Sequence, residues 1–138
     1  MVSEAFGSFF GVISIIGWVI GFFSILVGGV SVANIMFVSV KERTSLIGVK
    51  KALGAKKYII LLEFLIESII LCIIGGLLGL VLVYLLTAGL STVSPFKIYL
   101  NATNAIIGVS ISIIVGLVAG VIPAYVAARL DPVDAMRS

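Results

Sequence analysis

Long uncharged stretches alternate with short charged ones along this chain. No charged residue lies between Glu4 and Lys41, and two further apolar runs follow later in the sequence. An α-helix needs about 20 apolar residues, each rising about 1.5 Å, to cross the hydrocarbon core of a bilayer. The pattern therefore predicts three transmembrane helices, at about residues 18–40, 64–86 and 105–126.

The first uncharged run is too long for one simple crossing. Because Trp favours the boundary between membrane and water, we place the start of the first span at Trp18. Residues 5–17 are then expected to form an amphipathic or stalk-like approach outside the membrane, which can be continuous with the spanning helix.

The segment between the first two spans, residues 41–57, carries most of the positive charge. Its sequence, KERTSLIGVKKALGAKK, holds six of the nine basic residues and a single acid, Glu42. The positive-inside rule places such a loop in the cytoplasm. The segment 87–104, with Lys97, is then an outer loop, and the tail 127–138 is cytoplasmic.

This topology predicts a multi-pass protein of the bacterial cytoplasmic membrane, with its N-terminus outside and its C-terminus inside. The start of the chain has Glu4 and lacks the basic region of a secretory signal. We therefore expect an upstream span and an extracytoplasmic domain, supplied by a longer chain or by a partner.

The basic segment also has the pattern of a short amphipathic helix. Thr44 or Ser45 can cap its start, and Gly54 can end it. Its apolar residues share one arc of about 120°, opposite Lys51. They are Leu46, Val49, Ala52 and Leu53. The arc predicts docking against lipid headgroups or a grooved cytoplasmic partner, whereas the simpler interpretation makes the loop only a determinant of topology.

Composition excludes several classes of function. The chain is 62% hydrophobic and 11% charged, with a mean hydropathy of +1.37, which together with the three spans predicts an all-α membrane protein. Because the basic residues lie between membrane spans, we expect no binding of nucleic acid. With no His and with Cys72 as the single cysteine, it lacks the parts for a disulfide, a usual zinc site or a Ser-His-Asp triad. It also contains no GxxxxGK[ST] sequence, so we expect no enzyme activity, no catalytic or metal-binding residues and no cofactor on this chain.

Glycines four residues apart recur in all three predicted spans. Such spacing lets helix backbones approach closely in lipid, although glycine is also simply common in membrane helices. The pattern predicts tight packing within a bundle or across a dimer. The pairs are Gly7/Gly11, Gly17/Gly21, Gly75/Gly79 and Gly116/Gly120, and Gly28 joins the set.

A few other residues stand out within the apolar runs. Asn34 is predicted to make a hydrogen bond between helices, with a place on a substrate path as the alternative. For Glu63 and Glu67, four residues apart, we favour a structural or coupling role, with Glu67 paired to a cation of a neighbouring helix, over proton transfer. Cys72 is expected to be a small packing residue, and Pro123 to kink or end the third span.

Two blocks of the sequence resemble the FtsX-like permease family, in particular MacB-type ABC transporter permeases. The first is GGVSVANIMFVSVKERTSLIGVKKALGAKKYIILLEFLIESIILCIIGGLLGL, residues 28–80, and the second is GVIPAYVAARLDPVDAMR, residues 120–137. Their order and spacing match the family, so the resemblance covers the chain from about Gly17. Leu46 stands where the family commonly has Glu, which changes the contact expected there.

The resemblance implies one transmembrane domain over residues 1–138, with 41–57 as the segment that meets a cytoplasmic ABC ATPase. ATP and Mg²⁺ would bind to that ATPase, and a second permease chain would complete a dimer in the lipid. The family's helices relay ATP-driven motion to an extracytoplasmic domain for export or extrusion. The implied ATPase contacts are Arg43, Leu46, Ile47, Val49, Lys50 and Leu53.

Two competing hypotheses remain at this stage. The chain could be a transmitter that regulates an extracytoplasmic hydrolase without transport. It could also be a small helical membrane protein that forms homo-oligomers through its glycines.

Overall fold

The computed structural model describes residues 2–93 and 101–137, which form five α-helices. The helices are α1 (Val2–Glu42), α2 (Thr44–Ala52), α3 (Lys57–Val93), α4 (Ala102–Arg129) and α5 (Pro132–Arg137). Helices α1, α3 and α4 are long and apolar enough to cross a membrane, and the described residues contain no strand. The predicted all-α membrane fold, with a short helix between the first two spans, is confirmed.

Helix α1 is one unbroken helix of 41 residues. At about 1.5 Å per residue it is roughly 60 Å long, about twice the thickness of the hydrocarbon core. The predicted approach at residues 5–17 is therefore continuous with the spanning part. It is apolar on several sides, since Phe6, Val12 and Ile15, which point in different directions from the helix axis, are all exposed, so it is not amphipathic.

Helices α3 and α4 extend beyond the predicted spans, whose bounds remain predictions. Residues 87–93 and 102–104, expected within the outer loop, are helical. Thr87 fits the helix because its hydroxyl oxygen lies 2.9 Å from the carbonyl oxygens of Val83 and Tyr84, so a neighbouring turn satisfies it. The rest of the predicted loop, including Lys97, falls outside the described residues.

Helices α3 and α4 approach each other closely, because small residues line their contact. A β-carbon on Gly116 would lie 2.9 Å from the Cα of Ile69, and one on Gly120 would lie 2.7 Å from the Cβ of Ser68. Ser68 is fully buried, and its hydroxyl oxygen lies 2.8 Å from the carbonyl oxygen of Leu65 and 2.9 Å from that of Gly116. The hydroxyl thus links the two helices inside the seam.

The hydrophobic core lies at one end of the bundle, where all five helices meet. It is built from residues of the end of α1, the middle of α2, the start of α3 and the end of α4. These core residues are Met36, Val40, Ile47, Ile60, Phe64, Ala124 and Ala127.

The proline within α4 and the residues after that helix complete the fold. Pro123 is buried inside α4, which continues to Arg129, so it does not end that helix, and the alternative of a kink in the third span stays a prediction. The chain resumes a helix at Pro132, and the amide of Ala135 donates to the carbonyl oxygen of Asp131 at 2.9 Å. Asp131 and Pro132 are residue types that favour the start of a helix, and α5 begins there.

Candidate partner-docking surface at the basic end

Eight of the nine basic residues gather where α2 and α5 lie, together with the end of α1, the start of α3 and the end of α4. We call this region the basic end. Arg129 lies over the ring of Tyr125, with its guanidinium carbon 4.6 Å from the ring centroid. The basic loop and the C-terminal tail therefore share one side of the molecule, as the predicted topology requires.

The start of α2 differs from the sequence prediction, and its end agrees. Arg43 precedes the helix and no side chain caps it. The Thr44 hydroxyl instead lies 2.9 Å from the carbonyl oxygen of Val40 and 2.8 Å from that of Lys41. Thr44 therefore donates to carbonyl oxygens at the end of α1 and does not cap α2, because the tight turn places those carbonyl oxygens nearest to its hydroxyl. Gly54 has a φ of +96°, the left-handed conformation that favours glycine after a helix.

One face of α2 is fixed to the rest of the molecule. Ile47 is 3% exposed in the core, and Gly48 is also buried. Ile47 was predicted to contact an ATPase, but in this structure its side chain is inaccessible to a partner. On the helical wheel Ile47 lies just outside the predicted apolar arc. In the structure its side chain packs in the core and fixes α2 to the rest of the molecule.

The opposite face of α2 is apolar and open. Leu46 is 55%, Val49 44% and Leu53 84% exposed. We call these three residues the α2 outer face. They are the apolar members of the predicted contact set that remain accessible, and the structure brings them together on α2, with Leu53 as the residue that caps its end.

Two ion pairs connect the α2 region to α3. Nζ of Lys50 lies 2.7 Å from Oε1 of Glu63, and Nη1 of Arg43 lies 3.4 Å from Oε2 of Glu67. The two carboxylates, four residues apart on α3, each pair with one cation of the α2 region. All four side chains are between 32% and 48% exposed, so solvent weakens each pair.

Lys51, by contrast, contacts the end of α4. Its Nζ donates to the carbonyl oxygen of Ala128 at 2.6 Å and also to that of Leu130. Burial lowers the pKa of Lys51, the charge of Lys57 acts in the same direction, and Asp131 opposes both. The helical wheel placed Lys51 opposite the apolar arc, but it gave no sign that α4 lies there.

The predicted packing glycines divide into two groups. Gly116 and Gly120 lie in the α3–α4 seam. A β-carbon on the other seven would contact no other helix in the part of the chain that the structure describes. Those seven are Gly7, Gly11, Gly17, Gly21, Gly28, Gly75 and Gly79. Sequence reasoning missed Gly76, where a β-carbon would overlap the side chain of Ser112, and Gly29, where it would lie 3.5 Å from Cγ1 of Val115.

Asn34 faces outward from α1. Its side chain is exposed, and it lines a shallow groove together with Ile35, Val38, Ser39 and Glu42. No hydrogen bond joins its amide to another part of the chain that the structure describes. The predicted bond between helices is therefore not made within these residues.

Comparison with known families identifies the domain. The model described as FtsX-like permease C-terminal matches residues 18–132. The chain belongs to the FtsX-like permease family. Its match begins at Trp18, the residue at which the first span was predicted to start. Together with three helices able to span a bilayer, this makes it a multi-pass membrane protein.

Several curated relatives are similar over most of the chain. It is 40% identical to the macrolide export ATP-binding/permease protein MacB of Rhodopirellula baltica over 99% of its length, which is 20% of that protein. It is 44% identical to MacB of Agrobacterium fabrum over 82% of its length, 18% of that protein. It is also 44% identical to the uncharacterized ABC transporter permease YknZ of Bacillus subtilis over 90% of its length, 31% of that protein. The chain thus spans only a fifth to a third of these relatives.

Proposed function

We propose that this protein is the permease component of an ABC transporter of the FtsX and MacB type. Its α2 receives the movement of a cytoplasmic ATPase, and its long helices relay that movement across the membrane for export or extrusion. ATP and Mg²⁺ bind to the ATPase, on the same or another polypeptide. Family membership and the permease names of the relatives support this assignment.

The α2 outer face is the observation that carries the proposal. A leucine that is 84% exposed at the tip of a fixed helix leaves apolar area in water, and burying such a side chain contributes about 1.5–3 kcal/mol. A short helix that inserts apolar residues into a groove is a common mode of recognition. Ile47 and the two ion pairs hold α2 in a fixed position. Little conformational entropy of this helix is therefore lost when a partner docks on it.

Arg43 and Lys50 belong at the rim of this contact. Each is partly exposed while it pairs with a carboxylate of α3. Exposed rim charges affect the rate and specificity of association more than its strength. We therefore assign the binding energy to Leu46, Val49 and Leu53.

The same proposal places the basic end in the bacterial cytoplasm, following the positive-inside rule. It also includes a second permease chain. A β-carbon on Gly17, Gly21, Gly75 or Gly79 would meet no other helix among the described residues, and a helix of the second chain can approach these glycines closely. Asn34 faces the same surroundings and gains a hydrogen-bond partner if that helix carries a polar group.

Leu53→Asp tests the docking surface. In the permease as its gene encodes it, expressed with the ABC ATPases of its own genome, the wild type should co-purify with one ATPase in mild detergent. Leu53→Asp should reduce that recovery by about tenfold or more, since it loses the apolar contact and buries a charge. If the ATP-binding domain is on the same polypeptide, the readout becomes protection of residue 53 from a cysteine reagent after Leu53→Cys.

Two controls accompany this experiment. Leu53→Met keeps an apolar side chain of similar volume and should retain the ATPase. Tyr58→Asp adds the same charge at an exposed position at the start of α3 and should also retain it. Equal recovery with Leu53→Asp and wild type would refute docking through α2.

A further inference from the structure

Lys51 is the basic residue of the loop that points into the protein. Its ammonium group donates to the carbonyl oxygens of Ala128 and Leu130, at the end of α4. The last carbonyls of a helix have no donor within that helix, and they form the negative end of the helix dipole. A lysine placed there satisfies two such acceptors and neutralises the end of α4.

This contact differs from the other charged contacts of α2. The Lys50–Glu63 and Arg43–Glu67 pairs join α2 to α3 and are open to solvent. The Lys51 contact joins α2 to α4, is part-buried, and links residues 77 and 79 positions apart in sequence. Among the charged contacts of the described residues, it is the one that connects α2 with the third spanning helix.

Helix α4 can carry a displacement further along the bundle. In the turns that precede its last one, α4 packs tightly on α3 through Gly116 and Gly120, and Ser68 bridges the two helices. A force applied at the carbonyl end of α4 therefore acts on a rigid pair of helices, because close-packed interiors transmit strain. At the other end of this path, α2 presents its outer face to a partner.

We propose that Lys51 is the positioning residue that fastens α2 to the end of α4, so that displacement of α2 by the ATPase moves the third spanning helix. Lys51 touches neither nucleotide nor ATPase and acts through α4. The inference rests on the proposed function, since it requires that an ATPase docks on α2. It adds the route by which the movement leaves α2.

The test separates docking from transmission in the full-length permease with its ATPase in lipid nanodiscs. An environment-sensitive fluorophore on Val118→Cys, an exposed position on α4, in a Cys72→Ala background reports movement of α4. ATP with vanadate is added, and the spectral shift is measured. Binding of the ATPase is measured in parallel on the same samples.

Four variants are compared. Lys51→Gln should bind the ATPase like the wild type, while the nucleotide-dependent shift at position 118 falls by at least about fivefold, the lower end of ordinary coupling strengths. Lys51→Arg keeps a cationic donor and should restore the shift. Lys51→Met keeps the aliphatic part of the side chain, and it is used in place of Lys51→Gln if the Lys51→Gln protein is not produced in sufficient amount. Lys56→Gln, at an exposed lysine of the same loop, should behave as wild type.

The alternative results are distinguishable. Binding and shift that fall together in Lys51→Gln would make Lys51 merely structural and overturn the inference. A full shift in Lys51→Gln would also overturn it while leaving the proposed function intact. No shift in a wild type that binds its ATPase would overturn it while leaving the docking of the ATPase on α2 intact. A wild type that binds no ATPase would overturn both.

Discussion

At the scale of single residues, small side chains determine how closely α3 and α4 approach. Ser68 is fully buried and contacts the backbone of Gly116 through its hydroxyl. Gly76 meets Ser112 in the same seam. A polar hydroxyl is tolerated there because neighbouring carbonyl oxygens satisfy it.

Gly120→Ala should destabilise the α3–α4 pair by about 1–3 kcal/mol, the usual cost of forcing atoms into a packed site. The new β-carbon would lie 2.7 Å from Cβ of Ser68. The measurement is the free energy of unfolding in mixed detergent micelles. Gly11→Ala, where a β-carbon meets no other helix among the described residues, is the control and should not lose stability. Equal effects of the two substitutions would contradict the close approach at Gly120.

The seam itself could have been predicted from the sequence more fully than it was. Counting only glycine selects Gly75 and Gly79 on α3, which face no other helix among the described residues. Counting serine and cysteine as small residues gives a stripe at intervals of four on each helix. The stripes are Ser68, Cys72 and Gly76 on α3, and Gly108, Ser112, Gly116, Gly120 and Ala124 on α4.

At the scale of elements, α2 is a short helix with two different faces. Its existence, its end at Gly54 and its apolar outer face were predictable, because all three depend on residues close together in sequence. The role of Lys51 was not, since its acceptors belong to residues 77 and 79 positions away. The burial of Ile47 likewise depends on contacts with other helices, which periodicity within α2 cannot show.

The ion pair between Lys50 and Glu63 should help to hold α2 in place. Lys50→Glu should raise the hydrogen-exchange rate of α2 amides because it puts two carboxylates together, and the double variant Lys50→Glu with Glu63→Lys should restore protection. The coupling free energy should be about 0.2–1 kcal/mol, since both groups are partly exposed. Additive effects of the two substitutions would argue against a pair in solution.

At the scale of the whole molecule, the hydrophobic core and most of the charged residues lie at the basic end, whereas the helices at the other end have exposed side chains. The N-terminal half of α1 is exposed along its length, and Trp18 is 78% exposed. Number, type and order of the helices followed from hydropathy and charge. Their full lengths did not, because apolar residues continue the helices past the thickness of a bilayer.

Membrane orientation makes a direct prediction at this scale. Single cysteines from Ser8→Cys and Lys56→Cys, in a Cys72→Ala background, should differ in intact cells toward a membrane-impermeant maleimide. Ser8→Cys should react and Lys56→Cys should react only after the membrane is opened, since basic loops face the cytoplasm. The reverse pattern would invert the topology.

Docking of an ATPase on the α2 outer face is the central claim, and site-specific photo-crosslinking tests it most directly. A photoreactive amino acid is placed at residue 53 of the full-length permease in living cells, with residue 84 on α3, another exposed position, as the control. Cross-linking from residue 53, but not from residue 84, to an ABC-type ATP-binding protein or domain is the predicted result. Cross-links from residue 53 to lipid alone, or to no ATP-binding partner, would contradict the account.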